Sequence, residues 1–328
     1  MATVLITGGT GTVGKRLTQL LLEKGYQVNI LSRGNTTPPE KSTTPALQAT
    51  PPERRGTGIN YFNWNLTENY IDPAAITSAD YIIHLAGAGV ADKRWSKQRK
   101  KEIADSRTKS SALIVAALQQ NTNQVQAVVS ASAIGWYGPD KAAVKGVPGH
   151  GKGFEETADC YPDFLGETCR LWEASIAPVT ALGKRLVILR TGIVLSNEGG
   201  ALVEFKKPLL FKTAAILGNG KQMVSWIHID DLCNQYIYAL EHQQMQGIFN
   251  AVAPSPVSNK TLTIVLAKKL CGSFYIPFCV PAFVLKIVLG EMSIEILKST
   301  TVSSHKMLAT GFSFKYHNII EAIDELAK

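Results

Sequence analysis

Gly8, Gly11 and Gly14 recur every third residue between a short apolar run, Val4-Leu5-Ile6, and a stretch that carries Val13, Leu17, Leu20 and Leu21 at helical spacing. Glycine there permits a tight turn and lets backbone N–H groups approach a diphosphate at the first turn of a helix, where the helix dipole also favours negative charge. Thr10, Thr12 and Val13 lie between the glycines and are read with them as the phosphate-binding turn. A glycine triplet alone is a weak signal, but one that follows a strand over residues 3–7 and opens an amphipathic helix reads as a dinucleotide site. The next β-rich run, Val28-Asn29-Ile30-Leu31, ends in Ser32-Arg33-Gly34 with no Asp or Glu to meet adenosine ribose hydroxyls. Arg33 can stack on adenine and grip a 2′-phosphate with its planar fork, and Ser32 can add a hydroxyl donor, so NADP(H) is expected in preference to NAD(H).

These residues need a βαβ unit to position them, and the pattern continues beyond it. Residues 59–63, 81–85, 127–130 and 186–189 read as apolar strands, and Lys97 to Gln120 and Asp163 to Leu182 read as helices between them. Strands alternating with helices predict an α/β fold, a Rossmann-type doubly wound parallel sheet covered on both faces. Residues 34–58, rich in Thr and Pro, read as a surface loop. A Rossmann domain is expected over 1–195, with later elements at about 219–255 contributing to it. A smaller mixed or helical substrate-side region follows over 196–328, including a C-terminal extension at about 275–328. Phe274 to Gly290 is strongly apolar, but Pro277, Pro281 and Lys286 interrupt it and it is too short to span a membrane, so it reads as core.

The 328 residues carry a net charge of +8, yet only 18% are charged and the basic residues are scattered, which fits an anionic small ligand better than nucleic acid. The run from Lys93 to Lys101 is denser and reads as a solvated helix face or, in part, as phosphate contacts. Five cysteines at irregular spacing fit reduced thiols, and the chain opens directly on a strand with no signal-peptide pattern, so a cytoplasmic protein is expected. No H-E-x-x-H or C-x-x-C spacing suggests a metal.

Longer strings carry a family resemblance: Ile6 to Gly11, His84 to Trp95, Ser130 to Gly138, Leu189 to Leu195, Ser225 to Leu232 and Phe249 to Pro254, with Leu289-Gly290-Glu291 and Gly311 to Phe314 in the tail. Over nearly its whole length the chain resembles the extended short-chain dehydrogenase/reductase superfamily, in its atypical epimerase-like branch with a C-terminal extension. The resemblance implies that Leu85, Ala86 and Gly87 line the nicotinamide-side ribose and diphosphate, that Asn65 approaches adenine, and that Lys109 faces the cofactor. It implies a small-molecule substrate, a nucleotide-linked sugar or another small polar carbonyl or alcohol, with no nucleic-acid or membrane partner and with a homodimer as the assembly to consider.

The superfamily's chemistry uses a Ser or Thr with a Tyr-x-x-x-Lys pair, in which the tyrosine exchanges a proton with the substrate oxygen and the lysine lowers its pKa. Ser132 matches the serine. The pair is missing: the helix after Pro162 opens Asp163-Phe164-Leu165-Gly166-Glu167-Thr168-Cys169-Arg170. Tyr137 and Tyr161 are the phenols that could substitute as acid, while Arg94, Trp95 and Arg190 are candidates for holding an anionic substrate. Glu155 and Glu156 read as solvated, and His228 as a loop anchor beside Asp230. An enzyme with a departed site is one reading, and a dinucleotide-binding regulatory or sensor protein without turnover is the other.

Overall fold

Residues 1–33, 58–140 and 153–327 are described by the computed structural model of the chain, so the Thr/Pro-rich segment, apart from Gly58, lies outside the described residues. The first strand, β1 (Thr3–Thr7), is buried at every position, as a central parallel strand covered on both faces must be. It is followed by α1 (Thr12–Glu23), β2 (Gln27–Ser32), β3 (Ile59–Asn65), the short β4 (Tyr70–Ile71), α2 (Pro73–Thr77) and β5 (Tyr81–His84). Then come α3 (Lys97–Gln120), β6 (Ala127–Ala133), α4 (Phe164–Ile176) and β7 (Arg185–Thr191). The remaining elements are β8 (Ile193–Leu195), α5 (Ala201–Leu209), β9 (Thr213–Leu217), β10 (Met223–Val224), β11 (Trp226–His228), α6 (Ile229–Glu241) and β12 (Gly247–Ala251). The tail holds β13 (Val257–Ser258), α7 (Asn259–Cys271), β14 (Ile276–Val280), α8 (Ala282–Leu289), α9 (Ser293–Leu297), α10 (His305–Ala309) and α11 (Ile319–Leu326).

Eight strands form one sheet in the order β12-β7-β6-β5-β1-β2-β3-β4, parallel except for β4. The chain winds outward from β1 through β2 and β3, then returns to β5 on the other side of β1 and winds the opposite way. That reversal leaves a crevice at the carboxyl ends of β1 and β5, where ligands bind in open α/β sheets. One apolar layer packs α1 and α6 against the sheet, with Leu17, Leu21, Leu232 and Ile237 buried, and the other packs α3 against it through Leu113, Ile114 and Leu118. β6 and β7 run past their apolar stretches, to Ala133 and Thr191, because hydrogen-bonded polar side chains continue the buried surface there.

The core reading of 274–290 is overturned. Ile276 is 72% exposed and Ile287 70%, with Phe274, Phe278, Phe283 and Val288 exposed as well, and Leu285 is the buried member of α8. The reason lies in pairing: β14 meets only β9, in a two-stranded parallel sheet of its own, and Pro281 begins a short helix with few neighbours to cover it. Among the described residues no helix is long and apolar enough to cross a membrane.

Candidate functional site

Gly8 takes φ +73°, a conformation that favours glycine, and its Cα lies so close to the end of β5 that a Cβ there would stand 3.0 Å from the Leu85 carbonyl carbon. The ends of β1 and β5 are thereby brought edge to edge. α1 starts at Gly11 with no side-chain cap and no carboxylate in its first turn, so the backbone donors of Thr12, Val13 and Gly14 are offered to an incoming anion. Among the described residues a Cβ on Gly11 would meet no atom nearer than the Gly8 carbonyl oxygen at 3.4 Å, so that side of the turn is open to them, whereas one on Gly14 would sit 2.3 Å from the same oxygen. Gly11 thus faces space and Gly14 faces backbone.

At the far end of this crevice Ser32 closes β2 half-buried and Arg33 is exposed. The Glu102 carboxyl on α3 is held below its ordinary value by its hydrogen bond from Arg99, with Lys93 and Arg33 adding to the effect through space. Arg33 and Lys93 thus both act through space on the Glu102 carboxyl. Asn65 uses its side-chain carbonyl to accept the N–H groups of Thr67, at 2.9 Å, and Glu68, at 3.3 Å, capping the turn after β3.

The strand end Leu85-Ala86-Gly87 is held by partners that the sequence reading did not single out. Thr7 Oγ1 accepts the N–H groups of Leu85 and Ala86, each at 3.1 Å, and its one proton points to His84 Nδ1 at 2.7 Å. The imidazole proton then sits on Nε2, facing Ser111 Oγ at 3.1 Å. Burial lowers the His84 pKa to about 3, with Arg107 adding to the shift, so the ring is neutral. From α3, Ser106 Oγ accepts the Ala88 N–H at 2.9 Å and Arg107 donates to the Ala88 carbonyl at 3.0 Å, its guanidinium lying against Gly87 and 5.0 Å from the Trp172 ring. Arg99, Ser106, Arg107 and Ser110 stand at i, i+7, i+8 and i+11, one face of a helix, which is the signal that could have found them. Lys109 stands elsewhere on α3, largely exposed and paired with Asp105 at 3.0 Å, so α3 presents Arg107 rather than Lys109 to this backbone.

Ser132 donates to Glu173 Oε1 at 2.6 Å, and the same carboxylate receives Arg190 through Nε at 2.8 Å and Nη2 at 2.9 Å. Arg190 is 1% exposed and its guanidinium lies 3.7 Å from the Trp136 ring centroid. Burial alone would lower the Arg190 pKa, and the hydrogen bonds and charge of its partners more than offset this, so it remains charged. The expectation that Arg190 holds an anionic substrate is corrected: its fork is occupied by Glu173 and buried in the core.

Tyr137 is corrected for a related reason. It is fully buried, donates to Asn250 Oδ1 at 2.6 Å, accepts from Arg190 at 3.1 Å and stacks on Phe154, and burial pushes its pKa up to about 12. A phenol so enclosed does not reach an open cleft. Glu156 belongs to the same structure, accepting the Asn250 N–H at 2.7 Å. Tyr161 is half-buried with its ring packed over Gly138. Cys169, one helical turn beyond Leu165, approaches the Ala133 carbonyl at 3.6 Å, and burial pushes the thiol up to about 12. His228 accepts the Asp230 N–H on Nδ1 at 3.0 Å and caps α6.

The C-terminal extension reaches the opening of α4. Lys298 binds Glu295 at 2.6 Å, faces Asp163 Oδ2 at 3.7 Å and donates to the Tyr137 carbonyl at 3.3 Å. Asp163 uses its other oxygen to cap α4 through the Gly166 N–H. Nearby, Trp95 meets Phe164 edge to face with centroids 5.0 Å apart, and Lys100 lies over both rings while bound to Glu291. Arg94, exposed, rests against Gly290.

Residues 4–162 match the model of the NAD-dependent epimerase/dehydratase family, and 280–326 match a domain of unknown function, DUF1731. An epimerase family protein of Staphylococcus saprophyticus is 32% identical over 323 residues, 98% of each chain. The chain belongs to the epimerase family. Within that family, the crystal structure of the human epimerase family protein SDR39U1, isoform 2, with NADPH superposes with a TM-score of 0.79 at 27% identity, covering 99% of both chains. A nucleoside-diphosphate sugar epimerase from Corynebacterium glutamicum superposes at 0.71 with 29% identity, covering 99% of this chain and 58% of the other. The expected Rossmann-type sheet with a mixed helical tail agrees with these epimerase-family structures.

Proposed function

We propose that this protein binds NADP(H) across the carboxyl ends of β1 and β5 and acts as a short-chain-type oxidoreductase or epimerase on a nucleotide sugar or another small polar carbonyl or alcohol. The observation that carries the reading is the uncapped start of α1 with Gly11 open beside it. Gly8, Thr10, Gly11, Thr12, Val13 and Gly14 would hold the diphosphate, Ser32 and Arg33 the adenosine phosphate, and Leu85, Ala86 and Gly87 the nicotinamide side. Asn65 remains the candidate on the adenine side, through its amide nitrogen. NADPH in the human relative supports the nucleotide, and the name of the Corynebacterium relative supports the substrate class. When bound, the nicotinamide supplies or accepts hydride.

Ser132 favours a second reading, a protein that keeps the dinucleotide site without turnover. Its hydroxyl proton goes to Glu173, so toward a substrate oxygen it can accept a hydrogen bond but has no proton free to donate. One set of measurements separates the two. NADPH fluorescence titration of wild type and Arg33→Asp is expected to show saturable binding and a loss of NADPH preference in the variant. Nucleotide sugars are then incubated with the NADP(H)-loaded protein, following absorbance at 340 nm and product epimers by NMR. Turnover supports the enzyme; tight binding with none on any substrate moves the assignment to the second reading, and no binding of either nucleotide removes both.

A further inference from the structure

Large apolar side chains stand in the open in two stretches of the chain after residue 200, and lysines bracket both. The first, Lys206-Lys207-Pro208-Leu209-Leu210-Phe211-Lys212, ends α5, with Leu210 80% and Phe211 84% exposed. The N–H groups of Leu210, Phe211 and Lys212 donate to the carbonyls of Lys207, Pro208 and Leu209, so an ordered turn presents the two side chains. The second stretch runs from Lys268-Lys269 to Lys286. Between those lysines Phe274, Ile276, Phe278 and Phe283 are exposed, and Ile287 follows. The two stretches meet: the Ile276 N–H donates to the Lys212 carbonyl at 2.8 Å, and Lys212 Nζ lies 5.9 Å from the Phe274 ring centroid. Single apolar side chains are ordinary on a surface, whereas a contiguous set of them marks a docking face.

Charge and residue type decide what covers it. Residues 205–229 and 242–290, which carry all of these side chains, hold eight lysines and no Asp, Glu or Arg. Glu204 and Asp324, from outside these segments, match Lys207 and Lys269. Lys212, Lys268 and Lys286 are exposed around the apolar set. A second copy docked across a two-fold axis would bring these lysines against themselves. Protein partners are met chiefly by Tyr, Trp and Arg, with Lys depleted. Here the apolar members are Phe, Ile and Leu, and every cation is a lysine. Such a set suits an anionic bilayer surface, where phenyl and branched side chains enter the acyl boundary and each ammonium stays among the phosphates on its flexible stem. The arrangement is compact on α8, where Phe283 shares one face with Lys286 and Ile287, three and four residues on.

We propose that this face docks the protein on the surface of an anionic membrane, with Leu210, Phe211, Phe274 and Phe283 inserted and Lys212, Lys268 and Lys286 on the lipid phosphates. Among the described residues no helix can cross a bilayer, so the contact is interfacial. It departs from the family expectation of no membrane partner and is independent of the dinucleotide site.

The test sediments the full chain with vesicles of phosphatidylcholine, alone or with about one third phosphatidylglycerol. Wild type is expected to bind the anionic vesicles, to ignore the neutral ones, and to release as salt is raised. Lys212→Gln/Lys286→Gln should weaken binding about tenfold or more, since one lysine near an anionic surface contributes about fivefold. Leu210→Ser/Phe211→Ser should weaken it about tenfold or more through lost insertion. The control Lys24→Gln/Lys306→Gln removes the same charge elsewhere and should change binding less than about twofold. Phe211→Trp, read by quenching from brominated acyl chains, reports insertion directly and needs no weakened variant. No binding to anionic vesicles, an unquenched Trp at 211, or equal loss in the control would each overturn the proposal. So would full binding by Leu210→Ser/Phe211→Ser, which would make the contact one of charge alone. A wild-type dimer in equilibrium ultracentrifugation that Leu210→Ser/Phe211→Ser dissociates, with no vesicle binding, would give the face to a second copy instead.

Discussion

The three glycines of the opening turn are there for different reasons, and the reasons can be separated by adding one methyl group. At Gly14 a Cβ would fall 2.3 Å from the Gly8 carbonyl oxygen and 2.6 Å from the Gly9 Cα, both backbone atoms that cannot rotate away. At Gly11 the backbone has φ −76°, which any L-residue adopts, and nothing among the described residues approaches a Cβ closer than 3.4 Å. Gly14→Ala is therefore expected to destabilise the fold by about 1–3 kcal/mol or more through overpacking. Gly11→Ala should keep stability within about 1 kcal/mol, the scale of an N-cap change. Its methyl would occupy the space through which a diphosphate approaches, so NADPH affinity should fall about tenfold or more. Thermal melts with and without nucleotide, plus fluorescence titration, read both effects; a Gly11→Ala protein that bound NADPH like wild type would remove the phosphate assignment. The buried Arg190–Glu173 pair teaches the complementary lesson. Breaking such a pair leaves a charge without compensation at about 3–5 kcal/mol, so the network around Ser132 is built to persist through changes at the cleft.

Among the elements, β1, β5 and α3 act as one device through a neutral imidazole. His84 is fully buried with its pKa lowered to about 3, mainly by desolvation, and it joins Thr7 on β1 to Ser111 on α3. In the unfolded chain its pKa returns to about 6.5, so between pH 6.5 and 3 the unfolded state binds the extra proton and folding loses stability as pH falls. From pH 7 to pH 5 the loss from this group is about 2 kcal/mol. His228, lowered to about 4 chiefly by burial, acts in the same direction. Urea unfolding at the two pH values should show the decline in wild type and a flatter dependence in His84→Gln, and equal slopes would mean that the imidazole is charged in the fold. The strands and helices of this device were readable from periodicity: β1 and α3 fall where the apolar spacing puts them. The side chains that tie them were not, because a buried histidine or arginine announces itself only by what surrounds it. Arg190 illustrates this, since its partner Glu173 stands on another element, 17 residues earlier in the chain. The same limit explains the tail, where an apolar run is core or surface according to which strands pair with it.

Considered as a whole, the molecule must hold its C-terminal extension in register with the Rossmann sheet if the two are to share a site. The segment after Lys298 is fastened on both sides. Ser225 Oγ donates to the Thr300 carbonyl and accepts the Val302 N–H, both at 2.9 Å, and the Phe154 backbone pairs with Thr301 and Ser303. Asp140 is the densest of these anchors. Its carboxylate accepts the Ser299 hydroxyl at 2.6 Å, the Thr301 N–H at 2.7 Å and the Thr301 hydroxyl at 3.0 Å, while its own N–H reaches the Ser299 carbonyl at 2.8 Å. Removing the carboxylate leaves three donors to find other partners, and hydrogen bonds to a charged acceptor contribute about 1.5–3 kcal/mol each before their overlap is discounted. Asp140→Ala should therefore lower the opening free energy of residues 297–303 by about 2–4 kcal/mol. The amides of β1, β5 and β6, which the anchor does not touch, should keep their protection. Hydrogen exchange read by mass spectrometry checks the division: faster exchange confined to the extension is the expected pattern. Uniform acceleration across the sheet would mean that the extension and the Rossmann core open as one cooperative unit, and unchanged exchange at 297–303 would mean that Ser225 and Phe154 suffice to hold it.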